Sequence, residues 1–132
     1  MSRPAWLDLR RALVDTGVFI LWYRSDPQAQ LFFRNPNIEI YDSKVTRKEL
    51  LRPPINAAER RSIVRMLAPL RLINPQGAVA SAYDDLLKRY SYLHYHLADA
   101  IIAASAVAKN LPVVTTNVRH FKPIEEIEVF AL

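Results

Sequence analysis

Three of the chain's 13 acidic residues combine useful chemistry with a rigid setting. Asp15 closes the apolar run Ala12-Leu13-Val14, Glu49 follows Val45-Thr46-Arg47-Lys48, and Asp99 sits early in His96-Leu97-Ala98-Asp99-Ala100-Ile101-Ile102-Ala103-Ala104. Carboxylates gathered in one place repel and raise one another's pKa, so a fold that gathers them needs a cation to neutralise the cluster. A hard divalent ion such as Mg²⁺ or Mn²⁺ suits oxygen donors of this kind. Each acid also has a purely structural reading. Asp15 before Thr16-Gly17 fits an Asx turn or a helix N-cap. Thr46-Arg47-Lys48-Glu49 has the form of a capping box. Asp99 fits a first-turn carboxylate favoured by the helix dipole. Convergence in space decides between the two readings.

The remaining polar residues are less specific. His94-Tyr95-His96 offers two imidazoles, but with no Cys in the chain and no third His nearby in sequence it does not make a structural zinc site. Asp84 and Asp85 share a helix with Lys88 and Arg89 and read as a solvated face. Glu125, Glu126 and Glu128 read as a charged surface guarding a last edge strand. Arg outnumbers Lys among the 18 basic residues, which suits bidentate phosphate recognition. Arg61 and Arg65, one helical turn apart, and Arg119 are the candidate contacts to a phosphate-bearing partner, against the plain alternative of a solvated helix face. The tyrosines of Lys88-Arg89-Tyr90-Ser91-Tyr92-Leu93-His94-Tyr95-His96 fit core packing or a protein contact better than base stacking.

The elements that must position these residues follow from hydrophobic period and punctuation. A strand over Ala12 to Asp15 leads into a helix over Thr16 to Tyr23 and another over Pro27 to Phe33, which Asn35-Pro36-Asn37 ends. A strand within Ile38 to Val45 precedes a helix from Thr46 to Leu51, stopped by Pro53-Pro54. Asn56 and Glu59 open the next helix. A short strand over Leu70 to Ile73, a helix over Gln76 to Tyr90, a helix over His96 to Lys109, and strands over Pro112 to Thr115 and Ile127 to Phe130 complete the reading. This alternation predicts an α/β fold with a mainly parallel sheet of four to five strands and helices on both faces. In such sheets ligands bind at the edge formed by the strand carboxyl ends. Asp15, Glu49 and the start of the helix carrying Asp99 all fall at that edge.

Composition narrows the function. The chain has 132 residues and a formal charge of +5, the size of one domain, 1–132 with 1–11 as a short N-terminal extension, and a balance that favours an anionic partner. Two glycines, Gly17 and Gly77, cannot build a dinucleotide fingerprint or a phosphate loop. No apolar run spans a membrane and the start lacks a signal-peptide core, so the expected setting is the cytoplasm.

Four segments, in order, resemble the PIN-domain ribonucleases, and among them the toxins of VapBC-type toxin–antitoxin pairs. They are Leu13-Val14-Asp15-Thr16-Gly17-Val18, Val45-Thr46-Arg47-Lys48-Glu49-Leu50-Leu51, Leu97 to Ala106, and Val113-Val114-Thr115-Thr116-Asn117-Val118-Arg119-His120-Phe121. Asp15, Glu49 and Asp99 match the family's first three acids. A fourth acid is often found at the place of Asn117 or of His120, and here neither is acidic. The resemblance implies a single PIN-like domain and a Mg²⁺- or Mn²⁺-dependent endoribonuclease. In it Asp15 and Asp99 hold the ion and Glu49 assists, with Thr16, Thr115 and Asn117 in support. Thr115 is expected to hydrogen-bond Asp15, Asn117 to hold a metal-bound water, and His120 to be an exposed residue. The resemblance also implies a homodimer and a cognate antitoxin. The missing fourth acid keeps a second reading open, a PIN domain that binds RNA or protein without cutting.

Overall fold

The short apolar runs Ala12-Leu13-Val14 and Val113-Val114-Thr115 make central strands buried on both faces, and the helices between strands carry the cover. The computed structural model describes residues 3–132; Met1 and Ser2, the first residues of the expected N-terminal extension, lie outside the described residues. The elements are β1 (Arg11–Val14), α1 (Thr16–Tyr23), α2 (Pro27–Arg34), β2 (Glu39–Ser43), α3 (Lys44–Leu51), α4 (Ala57–Leu67), β3 (Arg71–Ile73), α5 (Ala78–Arg89), a 3₁₀ segment (Ser91–Tyr95), α6 (Leu97–Lys109), β4 (Val113–Thr115), α7 (Val118–Phe121) and β5 (Val129–Ala131).

The five strands form one parallel sheet in the order β3-β2-β1-β4-β5. Leu13 pairs with Tyr41 on one side and Val113 on the other. The chain builds outward from β1 to β2 and β3, then crosses back to start the other half at β4. The junction of β1 and β4 is therefore the switch point, where the loops leaving two adjacent strands turn apart and open a crevice.

Side chains alternate across the sheet and build a core on each face. Leu13 and Val113 pack with Leu86, Leu93, Ile102 and Phe121. Ala12, Val14 and Val114 pack with Val18, Phe19, Phe32, Ile63 and Leu67. Trp6, ahead of β1, is buried in the second core with its ring edge-on to Phe32, centroids 5.2 Å apart. Among the described residues no helix is long and apolar enough to cross a membrane.

Two local features differ from the sequence reading and bear on the site. α3 starts at Lys44, because Ser43 accepts from the Val45 N–H and caps the helix. Thr46 is thus inside α3, and Glu49 lies in its second turn. No capping box forms there; Asn56 with Glu59 forms one at the start of α4. The other feature is the pair of short elements flanking Asp99's helix, the 3₁₀ segment and α7, which the hydrophobic period does not announce.

Candidate active site

Asp15 and Glu49 are each held by the element that carries them and by a hydroxyl from another. Asp15 leaves β1 as the N-cap of α1, its Oδ1 accepting from the Thr16 N–H at 2.8 Å. Its Oδ2 accepts from Thr115 Oγ1, also at 2.8 Å, across the β1–β4 switch point. Thr115, fully buried, accepts in turn from the Asn117 N–H at 2.9 Å. Thr16 Oγ1 donates to Glu49 Oε1 at 2.9 Å and lies 3.0 Å from Thr46 Oγ1. Two threonines thus tie α1 to α3 and to β4, and set Asp15 and Glu49 on one wall.

At Gly17, beside this wall, a Cβ would lie 2.6 Å from Thr116 Oγ1, so any side chain there would displace the Thr116 hydroxyl.

Asp99, in the first turn of α6, completes the cluster. Burial pushes the Asp15 carboxyl above its usual value of 3.8. The Thr115 and Thr16 hydrogen bonds pull it back, while the charges of Asp99 and Glu49 push it up further. Asp99 and Glu49 are therefore near enough for their charges to act on Asp15, and gathered carboxylates of this kind are eased by a cation.

Asn117 and His120 both reach the site, and His120 is where the sequence reading is corrected. It is not a free surface residue. α7 is only one turn long, yet it turns His120 inward so that Nδ1 lies 2.8 Å from Asp99 Oδ2. The Asn117 side-chain amide lies 2.8 Å from the same nitrogen. Tyr92 locks the turn by donating its hydroxyl to the His120 carbonyl at 2.7 Å; burial, then the nearby Asp99 charge, raises the Tyr92 phenol above its usual value. His96 stands beside His120 with ring centroids 4.5 Å apart. The third imidazole that the sequence neighbourhood of His94-Tyr95-His96 lacks comes instead from His120, through the fold. His94 turns away, its Nε2 on the Leu87 carbonyl at 2.9 Å.

The candidate arginines part company. Arg119 lines a recess of about 310 Å³ with Tyr92, Asn117, His120 and Pro123, beside the acids. Arg61 and Arg65 are exposed on α4, around a shallow apolar pocket of their own with Arg60 and Val64. A basic residue the sequence reading did not assign, Arg47, reaches back from α3 to Asp42 at the end of β2, Nε to Oδ2 at 2.5 Å and an Nη to Oδ1 at 2.9 Å. Asp42 is fully buried, and the pair fixes the start of α3 behind Glu49.

Comparison with known proteins gives consistent matches. The family model described as PIN domain matches residues 12–126. The chain is 32% identical over 120 residues to Ribonuclease VapC10 of Mycobacterium tuberculosis, an alignment covering 88% of this chain and 90% of that one. Among solved structures, VapBC2 from Rickettsia felis bound to a DNA fragment from their promoter superposes with a TM-score of 0.75 at 20% identity, covering 92% of this chain and 98% of that one. A toxin–antitoxin complex from Klebsiella pneumoniae superposes with the same TM-score at 23% identity, covering 88% and 94%.

Proposed function

Because the chain belongs to the PIN-domain family, we propose that it is a metal-dependent endoribonuclease and the toxin of a toxin–antitoxin pair. The observation that carries this reading is that the charges of Glu49 and Asp99 both raise the cost of ionising Asp15, which stands at the end of β1 beside β4. The relative from M. tuberculosis named as a ribonuclease supports the substrate class. The toxin–antitoxin complexes of the same fold support a protein partner.

Asp15, Asp99 and Glu49 are the residues that would hold Mg²⁺ or Mn²⁺. Such an ion supplies Lewis-acid polarisation of the phosphate and a water of lowered pKa. The chain's own groups set the geometry. Thr115 and the Thr16 N–H fix both oxygens of Asp15, so its free lone pairs face the crevice and not the backbone. Thr16 orients Glu49, and Asn117 offers an amide oxygen to a water at the same place. Arg119, at the rim of the recess beside His120, is positioned to meet a backbone phosphate, and Arg61 and Arg65 extend the positive surface along α4. Exposed Ile20, Tyr23 and Leu31 on α1 and α2 leave apolar surface of the kind that an antitoxin or a second copy of the chain covers.

Purified protein incubated with a mixed RNA substrate and Mn²⁺ should cleave it, and Asp15→Asn and Asp99→Asn should each abolish cleavage. Undiminished cleavage by Asp15→Asn would overturn the mechanism. The absence of an acid at Asn117 and His120 favours one competing outcome, a domain that binds RNA without cutting it. That outcome would appear as Asp15-independent RNA binding with no cleavage by the parent protein.

A further inference from the structure

His96, Asp99 and His120 each offer a donor atom, and these atoms lie within 4.8 Å of one another. We infer that this trio is a second metal site, of a different donor class from the acid cluster, that takes a borderline divalent ion such as Zn²⁺ through two imidazoles and one Asp99 oxygen. The inference goes beyond the ribonuclease reading and shares only Asp99 with it.

Three observations carry it. The first is the contact between His120 Nδ1 and Asp99 Oδ2 at 2.8 Å. Something positive belongs between a ring nitrogen and a carboxylate oxygen at that distance, a proton or a metal ion, and metal binding to such groups proceeds by displacing the proton. With bonds of about 2.0 Å and tetrahedral angles the two donors need to stand about 3.3 Å apart. A small rotation of the half-exposed His120 side chain covers the difference.

The second is the stacking of His96 beside His120, ring centroids 4.5 Å apart and planes tilted by 47°. His96 occupies the N-cap position of α6 without capping it, so its ring is free of the usual local task. Two imidazoles and one carboxylate select against Mg²⁺, which demands oxygen and octahedral geometry. They suit the later divalent ions of the transition series and Zn²⁺.

The third is the support behind the ring. Tyr92 donates to the His120 carbonyl and so fixes the turn that presents the imidazole. The Asn117 side-chain amide lies 2.8 Å from Nδ1, a contact that an ion taking the Nδ1 lone pair would replace, as it replaces a proton. Of the trio, His120 lines the recess that Arg119 also lines, so one ligand of the site is open to water, as an open rather than a closed zinc site requires.

The test uses Co²⁺ as the spectroscopic probe and Zn²⁺ in competition calorimetry on the purified chain. Co²⁺ should bind with the intense visible absorption of a tetrahedral nitrogen and oxygen site, and Zn²⁺ should displace it. His96→Ala and His120→Ala should each weaken Co²⁺ by at least about tenfold, the loss seen even for partners one shell further out. Asp15→Asn and Glu49→Gln should leave the intense visible band in place, since neither contributes a ligand to the trio. His120→Asp keeps a donor but exchanges nitrogen for oxygen, so it should lower Zn²⁺ affinity relative to Mn²⁺ and decides the matter if the alanine variant folds poorly by circular dichroism. Co²⁺ affinity unchanged in the His96→Ala, His120→Ala double variant, or lost in Asp15→Asn, would overturn the proposal. The ribonuclease reading fails separately, through absence of Mn²⁺-dependent RNA cleavage by the parent protein, with the Co²⁺ spectrum untouched.

Discussion

At the scale of single residues, Asp15 is a charge kept where folding alone would not keep one. Its carboxyl is raised above 3.8, first by burial and then by its acidic neighbours. A raised carboxyl holds its proton better in the folded protein than in the unfolded chain, so its contribution to stability is full below the unfolded value and is lost as pH rises through the folded one. Asp15→Asn carries no such cost. In the presence of a chelator the variant should melt above the parent at pH 7, and the two should converge below about pH 4, where Asp15 is protonated in both states. Equal melting points at pH 7 would contradict this account. Mn²⁺ at about 100 times its Kd should stabilise the parent by about 2.7 kcal/mol and leave Asp15→Asn nearly unmoved in a thermal melt. Thr115 belongs to the same balance: it is buried, donates to Asp15 and accepts from the Asn117 N–H. Thr115→Val should cost about 2 kcal/mol in a urea titration, the range for a buried hydrogen bond to a charged group.

At the scale of elements, the site depends on how α3 is seated. Arg47 pairs bidentately with buried Asp42 and also donates to the Leu67 carbonyl at the end of α4. Burial raises the Asp42 carboxyl while the guanidinium pulls the other way. Arg47→Ala would strand that carboxylate, and breaking such a pair costs about 3 kcal/mol. The same change frees the start of α3, so Mn²⁺ affinity should fall along with stability; loss of stability with unchanged Mn²⁺ affinity would show that Glu49 is held by Thr16 alone. Much of this level is legible in the sequence. α1 runs from Thr16 to Tyr23 as its Asp15 cap and apolar composition predict, and the strand and helix alternation gives a parallel sheet. Two things were not legible. Ser43 and Thr46 are both cap-forming hydroxyls, and only the packing of Thr46 against Thr16 shows that Ser43 takes the cap. α7 has four residues, too few for any hydrophobic period, so nothing local signals that His120 turns inward to Asp99.

At the scale of the whole molecule, the charge of +5 and the acid cluster act on RNA in opposite senses. The positive field draws a polyanion to the surface and makes its affinity fall steeply with salt. The cluster repels phosphate at the one place where cleavage requires it, unless a divalent ion reverses the local sign. Removing one acid therefore separates attraction from reaction. With divalent ions chelated, Asp15→Asn and Asp99→Asn should bind a non-cleavable RNA more tightly than the parent, by a few fold at low salt, because each lifts the formal charge by one and relieves repulsion at close range. Arg119→Ala should weaken binding and flatten the salt dependence by about one counterion, whereas the sequence of the RNA should matter little to that loss. Fluorescence anisotropy across a salt series reads both effects. If the acid variants bound no better than the parent, the phosphate backbone would not approach the crevice, and RNA would have to dock elsewhere on the basic surface, with the α4 arginines the first place to look.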